Sequence, residues 1–229
     1  MNKTILITGA SGNLGGEVVK TLHSAGYGIC ATVGSGGIPA EFSSLTQDTR
    51  QVNLTDENAT KNYVEDVTRQ FPNLSAAILL VGGFAAGGIA ETTGAMLDKQ
   101  FDLNFKTAFF TAKPLLEHFG KNGGGQIILV GSRAPLQPES GKGVVAYSLA
   151  KSLIFRLAEI INEEGKEKGI TATVLVPSTI DTPANRFAMP DADFSKWVKA
   201  SDIAETIAFV LSEPGSTLRE SVLKVYNGA

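Results

Sequence analysis

One cysteine, two histidines and one tryptophan are all that this 229-residue chain holds of those residue types. A lone Cys30 excludes an intrachain disulfide and any thiolate cluster. His23 and His118 are too few for a histidine-built metal centre, so no metal site is expected. No apolar run reaches the ~18–20 residues of a membrane span. The run at 5–7, behind Met1-Asn2-Lys3-Thr4, is far too short for the core of a signal peptide. Charge is scarce as well: 19% of residues are charged and the formal net charge is −3. With no basic run, neither nucleic acid nor an anionic membrane surface is an expected partner. These absences lead to the expectation of a soluble, cytoplasmic, globular protein. What is plentiful is apolar residues, at 43%, and glycine, at 25 positions. A chain of this length buries roughly 70–75% of its unfolded surface, so one domain over residues 1–229 needs no staple.

Apolar runs of strand length recur at 4–7, 29–33, 51–54, 76–81, 126–130, 171–176 and 222–226. Most are continuous rather than alternating, which marks parallel strands buried on both faces. Helical periodicity fills the gaps. Leu14, Val18, Val19 and Leu22 mark the first helix, and further helices are predicted near 56–69, 93–119, 142–165 and 201–212. Repeated strand–helix alternation predicts a doubly wound (Rossmann-type) α/β fold. Its parallel sheet has about seven strands, with right-handed crossovers placing helices on both faces. There is no internal repeat or linker. The stretch 177–199 has no clear periodicity, and a loop that long is usually functional, so a substrate lid is expected at about 178–199.

The glycines cluster. Thr8-Gly9-Ala10-Ser11-Gly12-Asn13-Leu14-Gly15 follows the first strand and opens the first helix, the context of a dinucleotide fingerprint. One glycine allows the tight turn, one lets backbone approach a pyrophosphate, and one permits close helix–strand packing. The helix start adds free N–H groups and partial positive charge. The end of the second strand usually shows which nicotinamide cofactor binds, by an acid for NAD or a base for NADP. Here it reads Val33-Gly34-Ser35, with neither charge, so NAD and NADP both remain open.

Tyr147 and Lys151 stand four apart early in the helix after the fifth strand, which puts both on one face. A nearby ammonium favours a phenolate, and a tyrosine so tuned exchanges protons with a carbonyl or alcohol oxygen. The preceding strand ends at Gly131-Ser132, and ligands of open α/β sheets sit at strand C-terminal ends.

The turn at 8–15, the Tyr147/Lys151 pair, Ser132 and Asn104 together resemble the short-chain dehydrogenase/reductase family, over essentially the whole chain. The resemblance implies hydride transfer between NAD or NADP and a carbonyl-type substrate. It gives Tyr147 the role of proton donor or acceptor. Lys151 holds the nicotinamide ribose and lowers the tyrosine pKa. Ser132 binds the substrate oxygen, and Asn104 supports a water-linked proton relay. It further implies cofactor contacts at Gly9, Ser11, Gly12, Asn13, Leu14 and Gly15, at Gly34 and Ser35, at Asn53 and Leu54, and at Gly82 and Gly83. Pro177, Ile180 and Thr182, with Tyr147 and Lys151, lie at the nicotinamide end. A homodimer or homotetramer is implied too, joined through the fourth and fifth helices, where 107–110 and 149–157 are apolar or small.

Several positions depart from the family pattern. The glycines are spaced Gly9-x-x-Gly12-x-x-Gly15, Leu80-Val81-Gly82-Gly83 replaces Asn-Asn-Ala-Gly, and Asn53 stands for an aspartate. Ser178 replaces a glycine. Ser132 lies fifteen residues before Tyr147, so its role assumes two extra residues within 135–145. The glycine spacing, the segment from Gly82 to Gly88, and the block from Asp181-Thr182-Pro183 to Phe194-Ser195-Lys196-Trp197 resemble the family's dihydropteridine-reductase branch. That makes quinonoid dihydropterin an alternative substrate. A binding protein that senses NAD(P) without chemistry is the alternative outside enzymes.

Other residues read two ways. Phe194 and Trp197 either line a pocket or anchor the lid. Asn185 and Arg186 either orient substrate or cap a helix. Arg133 either meets an anionic group or is an ordinary surface arginine. His23 and His118 suit helix C-termini, and Cys30 reads as a small buried hydrophobe.

Overall fold

The computed structural model describes residues 3–228. Strand β1 (Thr4–Thr8) is buried along its length and leads through the glycine turn into helix α1 (Asn13–Ser24). Strand β2 (Gly28–Val33), the short helix α2 (Phe42–Leu45), strand β3 (Asp48–Gln51) and helix α3 (Glu57–Gln70) follow. Strand β4 (Leu74–Leu79) then precedes helices α4 (Gly94–Phe101) and α5 (Thr107–Lys121). Strand β5 (Gly125–Val130) leads to the short helix α6 (Pro138–Gly141), the long helix α7 (Val145–Gly165) and strand β6 (Ile170–Pro177). The remaining elements are β7 (Ile180–Asp181), α8 (Pro183–Ala188), β8 (Val198–Lys199), α9 (Ala200–Leu211) and β9 (Val222–Val225).

Seven strands form one parallel sheet in the order β3-β2-β1-β4-β5-β6-β9. The order reverses between β1 and β4, so their C-terminal ends open a crevice, the site of ligands in such sheets. One core packs α3, α5 and α7 against one face, through Val64, Leu115, Phe119, Ile154 and Ile161. The other packs α1 and α9 against the opposite face, through Val18, Leu22, Ile203 and Ile207. The doubly wound α/β architecture expected from the sequence is what forms.

Three local features differ from the sequence expectation. The third strand lies at Asp48–Gln51, not 51–54, because its register is set by β2, with Cys30 opposite Asp48 and Val33 opposite Gln51. It is an edge strand, so it carries the Arg50–Asp48 ion pair at 3.1 Å instead of an apolar run. The helix expected over 93–119 is two helices joined by a π-helical turn, Asp102–Lys106. The stretch 177–199 is ordered: Thr182 caps α8 by accepting from the Asn185 N–H at 3.1 Å, and β7 pairs with β8 across its base. Among the described residues, no helix is long and apolar enough to cross a membrane.

Candidate active site

The turn after β1 is shaped by its glycines. Gly9 takes φ +67°, a left-handed conformation natural to glycine. A Cβ on Gly15 would sit 2.7 Å from the Ala10 Cα, so only glycine lets α1 pack this closely on the turn. Gly12 caps α1 without any side-chain hydrogen bond, and the first turn holds no acid. The helix therefore presents bare N–H groups and its positive end beside the exposed Ser11 and Asn13, a cradle for an anion. These residues fit the pyrophosphate of a dinucleotide. Gly34 and Ser35 are exposed just beyond β2, and residues 33–40 hold no charged side chain. The Asn53 amide oxygen accepts from the Thr55 N–H at 3.2 Å and its hydroxyl at 2.7 Å, forming a turn that ends above buried Leu54.

Asn104 is buried within the π-helical turn. Its amide nitrogen donates to the Gly83 carbonyl at 2.9 Å and to Gln100 Oε1 at 2.9 Å, and its oxygen accepts from the Gly83 N–H at 3.1 Å. The inserted turn thus clamps the loop that follows β4, in keeping with the frequency of π-bulges at functional sites. A Cβ on Gly82 would stand 2.7 Å from Asn104 Oδ1 and 3.2 Å from Lys151 Nζ, so both side chains converge on this bare backbone.

Lys151 is buried on α7, and its ammonium donates to the Val130 carbonyl at 2.8 Å. Burial pulls its pKa from 10.5 down to about 8. Ser132 begins the loop after β5, buried, and its hydroxyl makes no formed hydrogen bond within the protein. Tyr147, one turn before Lys151, has its pKa raised, chiefly by burial. The nearby Ser132 hydroxyl offsets part of that rise. The sequence argument ran the other way, with Lys151 lowering the phenol; here desolvation sets the direction for both groups. The short helix α6 lies between Ser132 and Tyr147. The loop after β4 is tied to the start of α7 by Gly87 N–H to the Gly143 carbonyl, 2.7 Å, and Val145 N–H to the Gly87 carbonyl, 2.9 Å.

In the segment after β6, Pro177 ends the strand, and Ser178 donates to the Tyr226 carbonyl at 2.8 Å. The Ile180 carbonyl accepts from Asn185 Nδ2 at 2.8 Å, and Arg186 grips Asp181 through two bonds of 2.6 and 2.8 Å. Asn185 and Arg186 therefore hold this segment's own structure together. Arg186 also lies over the Phe194 ring, 4.8 Å from its centroid, and Phe194 packs on Trp197 at 4.7 Å. Trp197 itself is buried. Arg133 rests over the Tyr226 ring at 5.4 Å. His118 Nε2 meets the Leu74 carbonyl at 3.1 Å, and burial pushes the Cys30 thiol up to about 12, leaving it inert.

Two residues escaped the sequence reading. Gln100 is buried and fixes the Asn104 amide; its signal was a polar side chain one helical turn before Asn104. Phe84 sets its ring against Tyr147, with centroids 5.3 Å apart and planes at 62°. Nothing in the local sequence marks that contact, which depends on the loop's tie to α7.

Residues 3–193 match the family model described as short chain dehydrogenase. Dihydropteridine reductase of Dictyostelium discoideum is 29% identical over 213 residues, covering 90% of this chain and 87% of that protein. A short-chain type dehydrogenase/reductase from Mycobacterium ulcerans superposes with a TM-score of 0.89 at 22% identity, covering 100% of this chain and 90% of the other. ElxO with NADP bound superposes equally well, at 23% identity, covering 100% of this chain and 98% of that one.

Proposed function

The chain belongs to the short chain dehydrogenase family, and on that footing we propose that it is an NAD(P)-dependent oxidoreductase reducing a carbonyl-type group. The observation that carries this reading is the convergence of Ser132, Tyr147, Lys151 and Asn104 at the C-terminal ends of β4 and β5. The dinucleotide would lie along Gly9, Ser11, Gly12, Asn13, Leu14 and Gly15, past Gly34, Ser35, Asn53 and Leu54. It would reach Gly82, Gly83, Pro177, Ile180 and Thr182 at its nicotinamide end. When bound, it supplies the hydride.

The protein's own part is to hold an oxygen and deliver a proton. Tyr147, protonated at neutral pH as any phenol is, donates to the carbonyl oxygen as negative charge develops there. Ser132, whose buried hydroxyl lies beside the Tyr147 phenol, donates a hydrogen bond to the same oxygen. Lys151, one helical turn further along α7, would hold the ribose of the bound dinucleotide and stabilise the phenolate left behind. Asn104, through Gly83, keeps the adjoining loop in place.

A second reading is reduction of quinonoid dihydropterin. It is favoured by the likeness to dihydropteridine reductase over 90% of this chain. The test follows NADH and NADPH oxidation with quinonoid dihydropterin and with a panel of ketones and aldehydes, Tyr147→Phe beside the parent. Turnover falling by ~10²–10⁴-fold in the variant, with cofactor affinity kept, is the expected result. Equal rates would remove Tyr147 from the mechanism. No turnover with any acceptor, alongside intact cofactor binding, would leave a non-catalytic sensor.

A further inference from the structure

Five of the eleven large apolar side chains exposed among the described residues lie on the segments that follow β4, β5 and β6. Phe84 and Ile89 are on the loop after β4, Leu136 on the loop after β5, and Phe187 and Met189 on the lid after β6. Those strands are neighbours in the sheet, so the three segments leave its C-terminal edge side by side. Phe84 is 70% exposed and Phe187 is 90% exposed. Single exposed apolar residues are ordinary, but a cluster around a polar catalytic group marks a ligand surface. The geometry sharpens this. Phe84 meets Tyr147 with the ring planes at 62°, and at 70% exposure most of its ring stays open beside the phenol. The loop cannot drift, because Gly87 is bonded on both sides to residues at the start of α7. The basic side chain of α8, Arg186, is engaged by Asp181 and is not free to greet a phosphate or carboxylate.

We propose that the substrate is an aryl carbonyl compound, its flat ring lying against Phe84 and covered from the lid by Phe187. This rests on the carbonyl-reducing reading above and adds the substrate class. Aromatic rings favour offset or edge contacts of this kind, and Phe84 supplies an open ring face next to the proton donor. A sugar or a phosphorylated carbonyl would leave its hydroxyls or charge against phenyl and alkyl groups.

Matched pairs test it. Acetophenone and cyclohexyl methyl ketone differ only in ring aromaticity; so do their product alcohols, 1-phenylethanol and 1-cyclohexylethanol. Calorimetric titration of each alcohol into protein saturated with reduced cofactor, which cannot accept its hydride, reads binding without turnover. The aryl alcohol is expected to bind about tenfold more tightly, and kcat/KM for the ketones is expected to follow. Phe84→Ala is expected to erase the preference, and Phe84→Leu to erase it as well, since the face of a ring is what it lacks. Phe187→Ala is expected to raise KM for the aryl ketone and leave kcat alone. Both positions are exposed, so folding is kept, as melting curves would verify. Equal affinity for the two alcohols, or a preference untouched in Phe84→Ala, overturns the proposal. Discrimination between the alcohols with no ketone turned over would sink the carbonyl reading and leave the aryl subsite standing. Turnover of aliphatic or sugar carbonyls alone would do the reverse.

Discussion

At the scale of single residues, the site is governed by desolvation. Lys151 has its pKa held near 8 against an ordinary 10.5, because its ammonium is buried with only the Val130 carbonyl for company. The sign for stability follows. Below pH 8 the lysine is charged in both states, and its burial opposes folding in full. Between about 8 and 10.5 the unfolded chain binds more protons than the folded one, so stability rises with pH. Lys151→Met removes this dependence. The parent is therefore expected to gain up to about 3 kcal/mol on the variant across that window, read from urea midpoints at stepped pH. A constant gap would show that the ammonium is not desolvated. Gln100 makes a second case. Its Oε1 accepts from Asn104 at 2.9 Å, so it fixes which way that amide faces. Gln100→Leu is expected to cost about 1 kcal/mol and to weaken cofactor binding through the Gly83 loop. An unchanged cofactor Kd in calorimetry would confine Gln100 to packing.

Elements obey different constraints, set by backbone approach and register. Gly15 lies where α1 crosses the turn after β1, and a Cβ there would collide with Gly9 and Ala10 backbone atoms, which no side-chain adjustment relieves. Gly15→Ala is expected to lose about 1–3 kcal/mol by overpacking, along with cofactor affinity. At Gly94, which opens α4, a Cβ meets nothing within 4 Å. Gly94→Ala is expected to be neutral or stabilising by up to ~1 kcal/mol. Denaturant titration of the two variants separates these outcomes. The same contrast explains how much the sequence revealed. Buried parallel strands such as β1 and β5 declare themselves as apolar runs, and the glycine turn declares itself by standing between strand and helix. Ser132, Tyr147 and Lys151 were legible because strand ends and helical spacing fix where they fall. The π-turn at Asp102–Lys106 was not, since one extra residue leaves the helical pattern almost intact. The edge strand was misplaced because β3 draws its register from β2 and not from its own composition. Phe84 met Tyr147 only through bonds between two loops, which no local pattern encodes.

At the scale of the whole molecule, the open apolar surface away from the site calls for an account. Phe109 on α5 and Leu149 and Ile160 on α7 are exposed, although both helices have already buried an inner face against the sheet. The two helices also pack on each other, so their outer sides form a shared surface. An interface made of a helix pair meeting its symmetry mate is isologous, so each apolar residue on it counts twice. We propose that a second copy of the chain covers this surface. The solution mass is then expected at two or four times the 24.0 kDa chain. Leu149→Glu puts a carboxylate on each side of the contact, where desolvation and like-charge repulsion act together, and is expected to shift the population toward monomer in sedimentation. Because α7 also carries Tyr147 and Lys151 on its inner side, release of its outer side is expected to reduce turnover in the same variant. A monomeric parent, or a Leu149→Glu protein of unchanged mass, would leave that surface facing water and remove the coupling between assembly and site.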